Sequence, residues 1–165
     1  MSDATTIQFL GYAIDFSTPW LAVAWALGIG FALAVIPMGA AELVAFAAGA
    51  LRPAGIIGPV VVSFTCGHVA GKLVWFWLGT QEARVRRPHV RRVIDDAKAI
   101  TARHPAIGAA VLATSAVAGL PPFHLTTVAA GIARYPLVPF VAITFTGRLV
   151  RFGLIALIPG TFVFD

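Results

Sequence analysis

Charge is what this sequence has least of. Only 12% of its 165 residues are Asp, Glu, Lys or Arg, and 59% are hydrophobic; soluble domains average about 25% charged residues. No Asp, Glu, Lys or Arg occurs in residues 16–41, 53–71 or 105–133, runs of 26, 19 and 29 residues. About 20 apolar residues suffice to cross a bilayer core. A soluble domain is excluded, and an all-α integral membrane protein is expected.

Cysteine is as scarce. Cys66 stands alone, which excludes an internal disulfide framework, and its place in an apolar run reads as packing. No Lys or Arg precedes Arg52, which argues against a cleavable signal peptide. A Walker loop, a His-Glu-x-x-His pair, paired cysteine ligands and a Gly-x-Ser-x-Gly elbow are all missing. No enzyme activity, metal or cofactor is therefore expected, and Ser115 and His124 do not make a nucleophile and base on spacing alone.

What charge there is lies unevenly. Seven cations (Arg84, Arg86, Arg87, Arg91, Arg92, Lys98 and Arg103) and three anions fall between Thr80 and His104. The positive-inside bias makes residues 80–104 a cytoplasmic loop and puts Leu51 to Pro53 near the opposite face. The loop lacks aromatics other than imidazoles, so nucleic acid is not an expected partner; lipids at the membrane surface are. Within it, Val90, Val93, Ile94, Ala97 and Ile100 recur at helical spacing, which predicts an amphipathic surface helix over His89 to Arg103. Ile7, Leu10 and Ile14 predict a second interfacial helix inside residues 1–18.

The 16 Gly and 11 Pro break the apolar runs. Pro37 separates Trp20 to Ile36 from Met38 to Leu51, and Gly119, Pro121 and Pro122 separate Ala106 to Ala118 from Phe123 to Ala133. Pieces of 13 or 14 residues make helices only about 20 Å long, short of a bilayer core of about 30 Å, so they read as Pro-tipped re-entrant hairpins. Ile56 to Leu78 and Leu137 to Ile158 are long enough to cross. Ala47-Ala48-Gly49 with Arg52 matches Ala129-Ala130-Gly131 with Arg134 at an offset of 82. The chain thus reads as a single membrane domain of two inverted repeats, residues 19–79 and 105–160, whose hairpin tips meet near the midplane.

Six ionisable side chains fall inside the apolar segments: Glu42, His68, Lys72, His124, Arg148 and Arg151. A cation facing lipid at mid-depth costs about 2.5–3.5 kcal/mol on insertion scales, so these groups should point inward. His68 and Lys72 are four apart and Arg148 and Arg151 three apart, each pair on one helix face. The offset of 82 brings Glu42 onto His124. Together the six form a candidate transport site. With neutral histidines the charged four sum to +2, which suits an anionic head group, and the half-helices after Pro37 and Pro122 would add their positive dipole ends. A plainer reading has Glu42 pair with Arg148 or Arg151 only to hold the hairpin, with Arg148 favoured because Gly147 matches Gly67. Lys72 is near enough to the loop to snorkel. Gly67 and Gly71 form a small-xxx-small face for close helix contact.

The segments IPMGAAELVAFAAGAL, GHVAGKLVWFWLG and SAVAGLPPFHLTTVAAGIARYPLVPFVAITFTGRLVRF resemble the DedA family of membrane proteins, also called VTT or SNARE-associated proteins, nearest its short YqaA-like branch. The resemblance runs from Ile36 to Gly160. It implies two facing re-entrant hairpins and movement of lipid across the bilayer: phospholipid scrambling in eukaryotic relatives, polyprenyl-phosphate recycling in bacterial ones. It also implies a functional acid on the first hairpin, the place Glu42 occupies. The arginine pair that many bacterial members carry around the second tip is replaced here by Ser115 and His124 or Thr126, with Arg148 and Arg151 available as substitutes. The leading expectation is a flippase or scramblase for an anionic lipid in a bacterial cytoplasmic membrane, oligomeric because it is small. An ion-coupled exporter of small solutes and a non-transporting scaffold that works through the basic loop are the alternatives.

Overall fold

The structure, a computed structural model, describes residues 6–9, 12–15, 19–36, 40–51, 54–81, 99 and 103–161. Among them are a two-stranded hairpin, β1 (Thr6–Phe9) and β2 (Tyr12–Asp15), and six helices: α1 (Pro19–Val35), α2 (Ala41–Leu51), α3 (Ala54–Thr80), α4 (Pro105–Ala118), α5 (Phe123–Ile132) and α6 (Leu137–Thr161). The amphipathic helix expected over residues 89–103 and the tip residue Pro37 lie outside the described residues.

The N-terminal interfacial helix is overturned. β1 and β2 pair antiparallel, Ile7 with Ile14 and Phe9 with Tyr12, while Thr6 faces Asp15 and Gln8 faces Ala13. The backbone register therefore sets Ile7 opposite Ile14 and Phe9 opposite Tyr12 in two extended strands, in place of one helix. The spacing of Ile7, Leu10 and Ile14 mimics a helix only when Phe9 and Tyr12 are left out of the count.

At 1.5 Å per residue, the 27-residue α3 is about 40 Å long and the 25-residue α6 about 37 Å. Among the described residues these two are the helices long and apolar enough to cross a membrane. They run antiparallel: Phe64 packs edge-on against Phe152, and Phe76 against Phe140. The other four helices pair with them crosswise. α1 lies parallel to α3 and α4 parallel to α6, whereas α2 lies along α6 and α5 along α3.

Small residues set these crossings. A Cβ on Gly67 or Gly30 would strike the backbone of Leu27 or Phe64, and one on Gly71 would lie 2.6 Å from the Ala34 methyl, so α1 and α3 touch backbone to backbone. Gly49 of α2 meets the Ala156 carbonyl of α6, and Gly131 of α5 meets the Phe76 carbonyl of α3. These two glycines are the matching pair at offset 82, and each seats the second limb of a hairpin on the long helix of the other half.

Five phenylalanines (Phe64, Phe76, Phe123, Phe140 and Phe152) are buried in the core, but around them the pattern differs from that of a soluble protein. Buried positions hold small residues such as Ala34, Ala116 and Ala156 together with Thr65, His68, Lys72, Ser115 and Arg148, while Trp20, Leu43, Trp77, Leu120 and Val138 are exposed. Lipid tails are as apolar as leucine, so large side chains lose nothing by facing outward and small ones gain close contact inside. Cys66, expected to be a packing residue, is exposed.

Two helix ends fix the loops beside the polar residues. Gly119, at φ +81, closes α4 with its N–H on the Ser115 carbonyl. α5 ends with the Tyr135 N–H on the Ala130 carbonyl at 2.9 Å and the Arg134 N–H on the Gly131 carbonyl at 3.0 Å, a Schellman motif. Its left-handed position, usually glycine, is taken by Arg134 at φ +52, at a cost of roughly 1–2 kcal/mol.

Candidate functional site

Three of the six candidate residues meet. Glu42, second in α2, lies beside α6, where Arg151 Nε donates to its Oε1 at 3.1 Å and Arg148 Nη1 stands 3.7 Å from the same oxygen. Arg151 is the closer partner, a correction to the preference for Arg148. The reason is reach: Arg151 lies on the face of α6 that is open toward α2, while Arg148 is drawn into the core, its guanidinium 4.2 Å from the Phe123 ring centroid and 5.7 Å from that of Phe152. Such cation–π packing offsets part of the desolvation of the charge. Arg151 also donates through Nη1 to the Val117 carbonyl at 2.8 Å, one of the carbonyls that the end of α4 leaves free. One guanidinium thus ties the first hairpin to the second. Glycine is required at 119 on two counts, its left-handed φ and the Arg151 Nη1 that a Cβ would approach to 3.1 Å.

Lys72 is buried but stands apart from the carboxylate. Its Nζ donates to the Ala34 carbonyl at 3.0 Å, and the Trp75 indole donates to the Ala34 and Val35 carbonyls. A cation at the last turn of α1 meets both the unpaired carbonyls and the negative dipole end, so Lys72 caps α1 instead of snorkelling. His68 is 3% exposed and packs against Phe64 and Phe152, with neither ring nitrogen hydrogen-bonded. Thr144 Oγ1 and Arg148 Nε, also buried, have no partner among the described residues either. His124, second in α5, is half-buried and makes no hydrogen bond or ion pair to the cluster.

The second tip is held by hydroxyls. Ser115 Oγ donates to the Pro121 carbonyl at 2.6 Å and lies 2.9 Å from Thr126 Oγ1, which also reaches the Phe123 carbonyl at 2.9 Å. Spacing does not single out Phe123, Phe152, Trp75 or Val117. The aromatics are residues that inward-facing cations need in a low dielectric, and the Val117 carbonyl follows from α4 ending at Gly119.

The cluster sits near the middle of both long helices, Arg148 and Arg151 around the centre of α6 and His68 around the centre of α3. The charged members are graded in access: the Arg148 side chain is 6% exposed, Arg151 23% and Glu42 32%. Glu42 and Arg151 are thus the members of the cluster that an arriving anion can reach.

Residues 36–160 match the family model of the VTT domain. No curated protein and no solved structure matches the chain. The match spans most of the chain and includes both long helices and the ion cluster, so this membrane protein belongs to the VTT-domain family.

Proposed function

From that membership and the Glu42 cluster we propose that the protein moves an anionic lipid, a phospholipid or a polyprenyl phosphate, across the bilayer as a flippase or scramblase, without an enzymatic step or a cofactor. The observation that carries this reading is a partly buried ion cluster with excess positive charge, of which Glu42 and Arg151 are the accessible members. Within the cluster Glu42 leaves Arg148 and Arg151 with a surplus of one positive charge; Lys72, its Nζ 5.9 Å from the centroid of the Phe123 ring that Arg148 also faces, adds a second outside it. A phosphate arriving at the cluster has to displace the Glu42 carboxylate, the most exposed member, from Arg151 and take over its donors, a bidentate match that guanidinium favours. The acyl chains remain among the exposed apolar side chains while the head group crosses.

The crosswise pairing supports two inverted repeats. α3 and α6 run in opposite directions, each hosting its own first limb and the other half's second limb, and Gly49 and Gly131 do the same work in each half. Second limbs of 11 and 10 residues reach only about 15–17 Å, which supports re-entrant hairpins over full crossings. The protein is then a multi-pass protein of a bacterial cytoplasmic membrane, with residues 80–104 cytoplasmic and set against anionic lipid, and with a homo-oligomer to complete its small membrane body.

Flipping of fluorescent phosphatidylglycerol and of a polyprenyl phosphate in proteoliposomes tests the proposal. Wild-type protein should raise the rate above that of protein-free vesicles. Glu42→Gln, which keeps size and removes charge, should insert normally and slow flipping about tenfold, the value of one charge-assisted hydrogen bond. A wild-type rate equal to that of empty vesicles, or full activity in the Gln variant, refutes it.

A further inference from the structure

Where α3 ends lies a shallow cavity, open to the surface, of about 350 Å³, lined by Phe76, Thr80, Arg134 and Tyr135. It is separate from the Glu42 cluster, since Thr80 is eight residues beyond Lys72 on α3, about 12 Å along the axis. We propose that this cavity is a second anion site, one that binds the phosphate group of a molecule at the membrane surface.

The first observation is the backbone. Arg134 occupies the left-handed position of the Schellman motif at φ +52, where glycine would be free of strain. An exposed arginine held there against its conformational preference, with no ion pair among the described residues, places five N–H donors at the mouth of the cavity. The second is the rest of the lining. Tyr135, 9% exposed, brings another donor. Thr80 already donates to the Trp77 carbonyl at 2.7 Å, which leaves its oxygen to accept from a P–OH or a head-group hydroxyl. The third is depth. Trp75 and Trp77 lie in the last two turns of α3, Trp75 on the α1 carbonyls and Trp77 exposed, and Tyr135 lies between α5 and α6; aromatic residues with polar tips settle at the head-group level of a bilayer. A guanidinium fork beside a phenol at that level matches the geometry of phosphate.

Because the Glu42 cluster would also attract anions, the test reads this cavity locally. Tyr135 is one of two tyrosines, so the full chain carrying Tyr12→Phe and 3-fluorotyrosine gives a single ¹⁹F signal in the cavity. In neutral detergent it is titrated with inorganic phosphate and with dihexanoyl phosphatidic acid. A saturable shift with either supports the site. Equal affinities identify free phosphate as sufficient, and tighter phosphatidic acid identifies a lipid head group. Arg134→Gly should weaken binding by at least about tenfold while raising the melting temperature by about 2–4 °C through relief of strain. Arg134→Asn, which tolerates the same φ without charge, should weaken binding similarly, and Arg134→Lys should retain part of it. The absence of a saturable shift in the wild-type protein, or unchanged affinity in both neutral variants, overturns the proposal. Neither result depends on lipid flipping, so the site stands or falls apart from the transport reading.

Discussion

Glu42 and His124 hold the same place in their hairpins, the second residue of α2 and of α5, and the offset of 82 that pairs them also pairs Gly49 with Gly131. The glycines do equivalent work, each against a carbonyl of the opposite long helix. The ionisable residues do not: Glu42 takes two arginines of α6, and His124 takes no polar partner among the described residues. In the place where the first hairpin has charge, the second has Ser115, Thr126 and the carbonyls of Pro121 and Val117. The two glycine contacts match, and the polar chemistry beside them does not.

The matching glycine contacts predict the largest effects. Gly49→Val and Gly131→Val each drive a branched side chain into a facing carbonyl that cannot yield without separating two helices. Each should cost about 3 kcal/mol, the upper end of the overpacking range, and should lower both the yield of folded protein in membranes and its melting temperature. Gly58 and Gly153 have open space around them, so alanine there should be neutral or mildly stabilising. If Gly49→Val were severe and Gly131→Val mild, the equivalence of the two halves would be lost.

The next effect belongs to the asymmetric chemistry. Arg151→Gln removes both the bond to Glu42 and the cap on Val117, and should cost about 2 kcal/mol. Arg148→Gln removes a longer contact to Glu42 but leaves a gap over Phe123. A double-mutant cycle between Glu42→Gln and Arg151→Gln, followed by thermal unfolding in detergent, should give a coupling of about 1–2 kcal/mol. The double variant should express better than Arg151→Gln alone, because Glu42 is no longer left with a single, longer contact. A coupling near zero would reduce the ion pair to a coincidence of packing.

Much of this architecture is legible in the sequence, and for a definite reason. Pro37 and the Gly119-Pro121-Pro122 group mark helix ends by backbone chemistry alone, so the expected Leu137 to Ile158 and Ala106 to Ala118 fall within a few residues of the observed helices. The convergence of Glu42 with Arg148 and Arg151 is legible because charges in an apolar run have few places to go. The capping role of Lys72 is not, since it depends on where α1 ends relative to α3, a distance that no local pattern encodes. Nor is the N-terminal hairpin, where Ile7, Leu10 and Ile14 fit a helical period and Ile7, Phe9, Tyr12 and Ile14 fit two paired strands. The choice of Arg151 over Arg148 rests on which face of α6 turns toward α2, and the two lie only three residues apart.

The neutral tip comes next in size. Ser115 is fully buried, and Ser115→Ala leaves the Pro121 carbonyl without its donor, a loss of about 1 kcal/mol. Thr126→Ala should cost less, since Thr126 is only partly buried and its partner Ser115 keeps the bond to Pro121. Comparison of their melting temperatures checks the order; a larger loss at Thr126 would shift the anchor of the second hairpin from its first limb to its second.

The smallest effect is expected at His124, and it bears most directly on the comparison. Glu42 cannot be truncated without unpairing Arg151, whereas His124 is half-buried and makes no hydrogen bond to the described residues, so His124→Ala should change stability by no more than about 0.5 kcal/mol, as for other substitutions that break no named interaction. The anchoring of Arg148 comes from the neighbouring Phe123, whose ring faces the guanidinium, and that contact survives the change. If the candidate transport site includes His124, flipping should fall while the melting temperature holds, since a group that meets only the passing head group contributes nothing to the resting structure. Unchanged flipping and unchanged melting together would place all of the working charge on the Glu42 side. A marked fall in melting temperature would instead reveal a structural bond at His124 and weaken the contrast between the two hairpins.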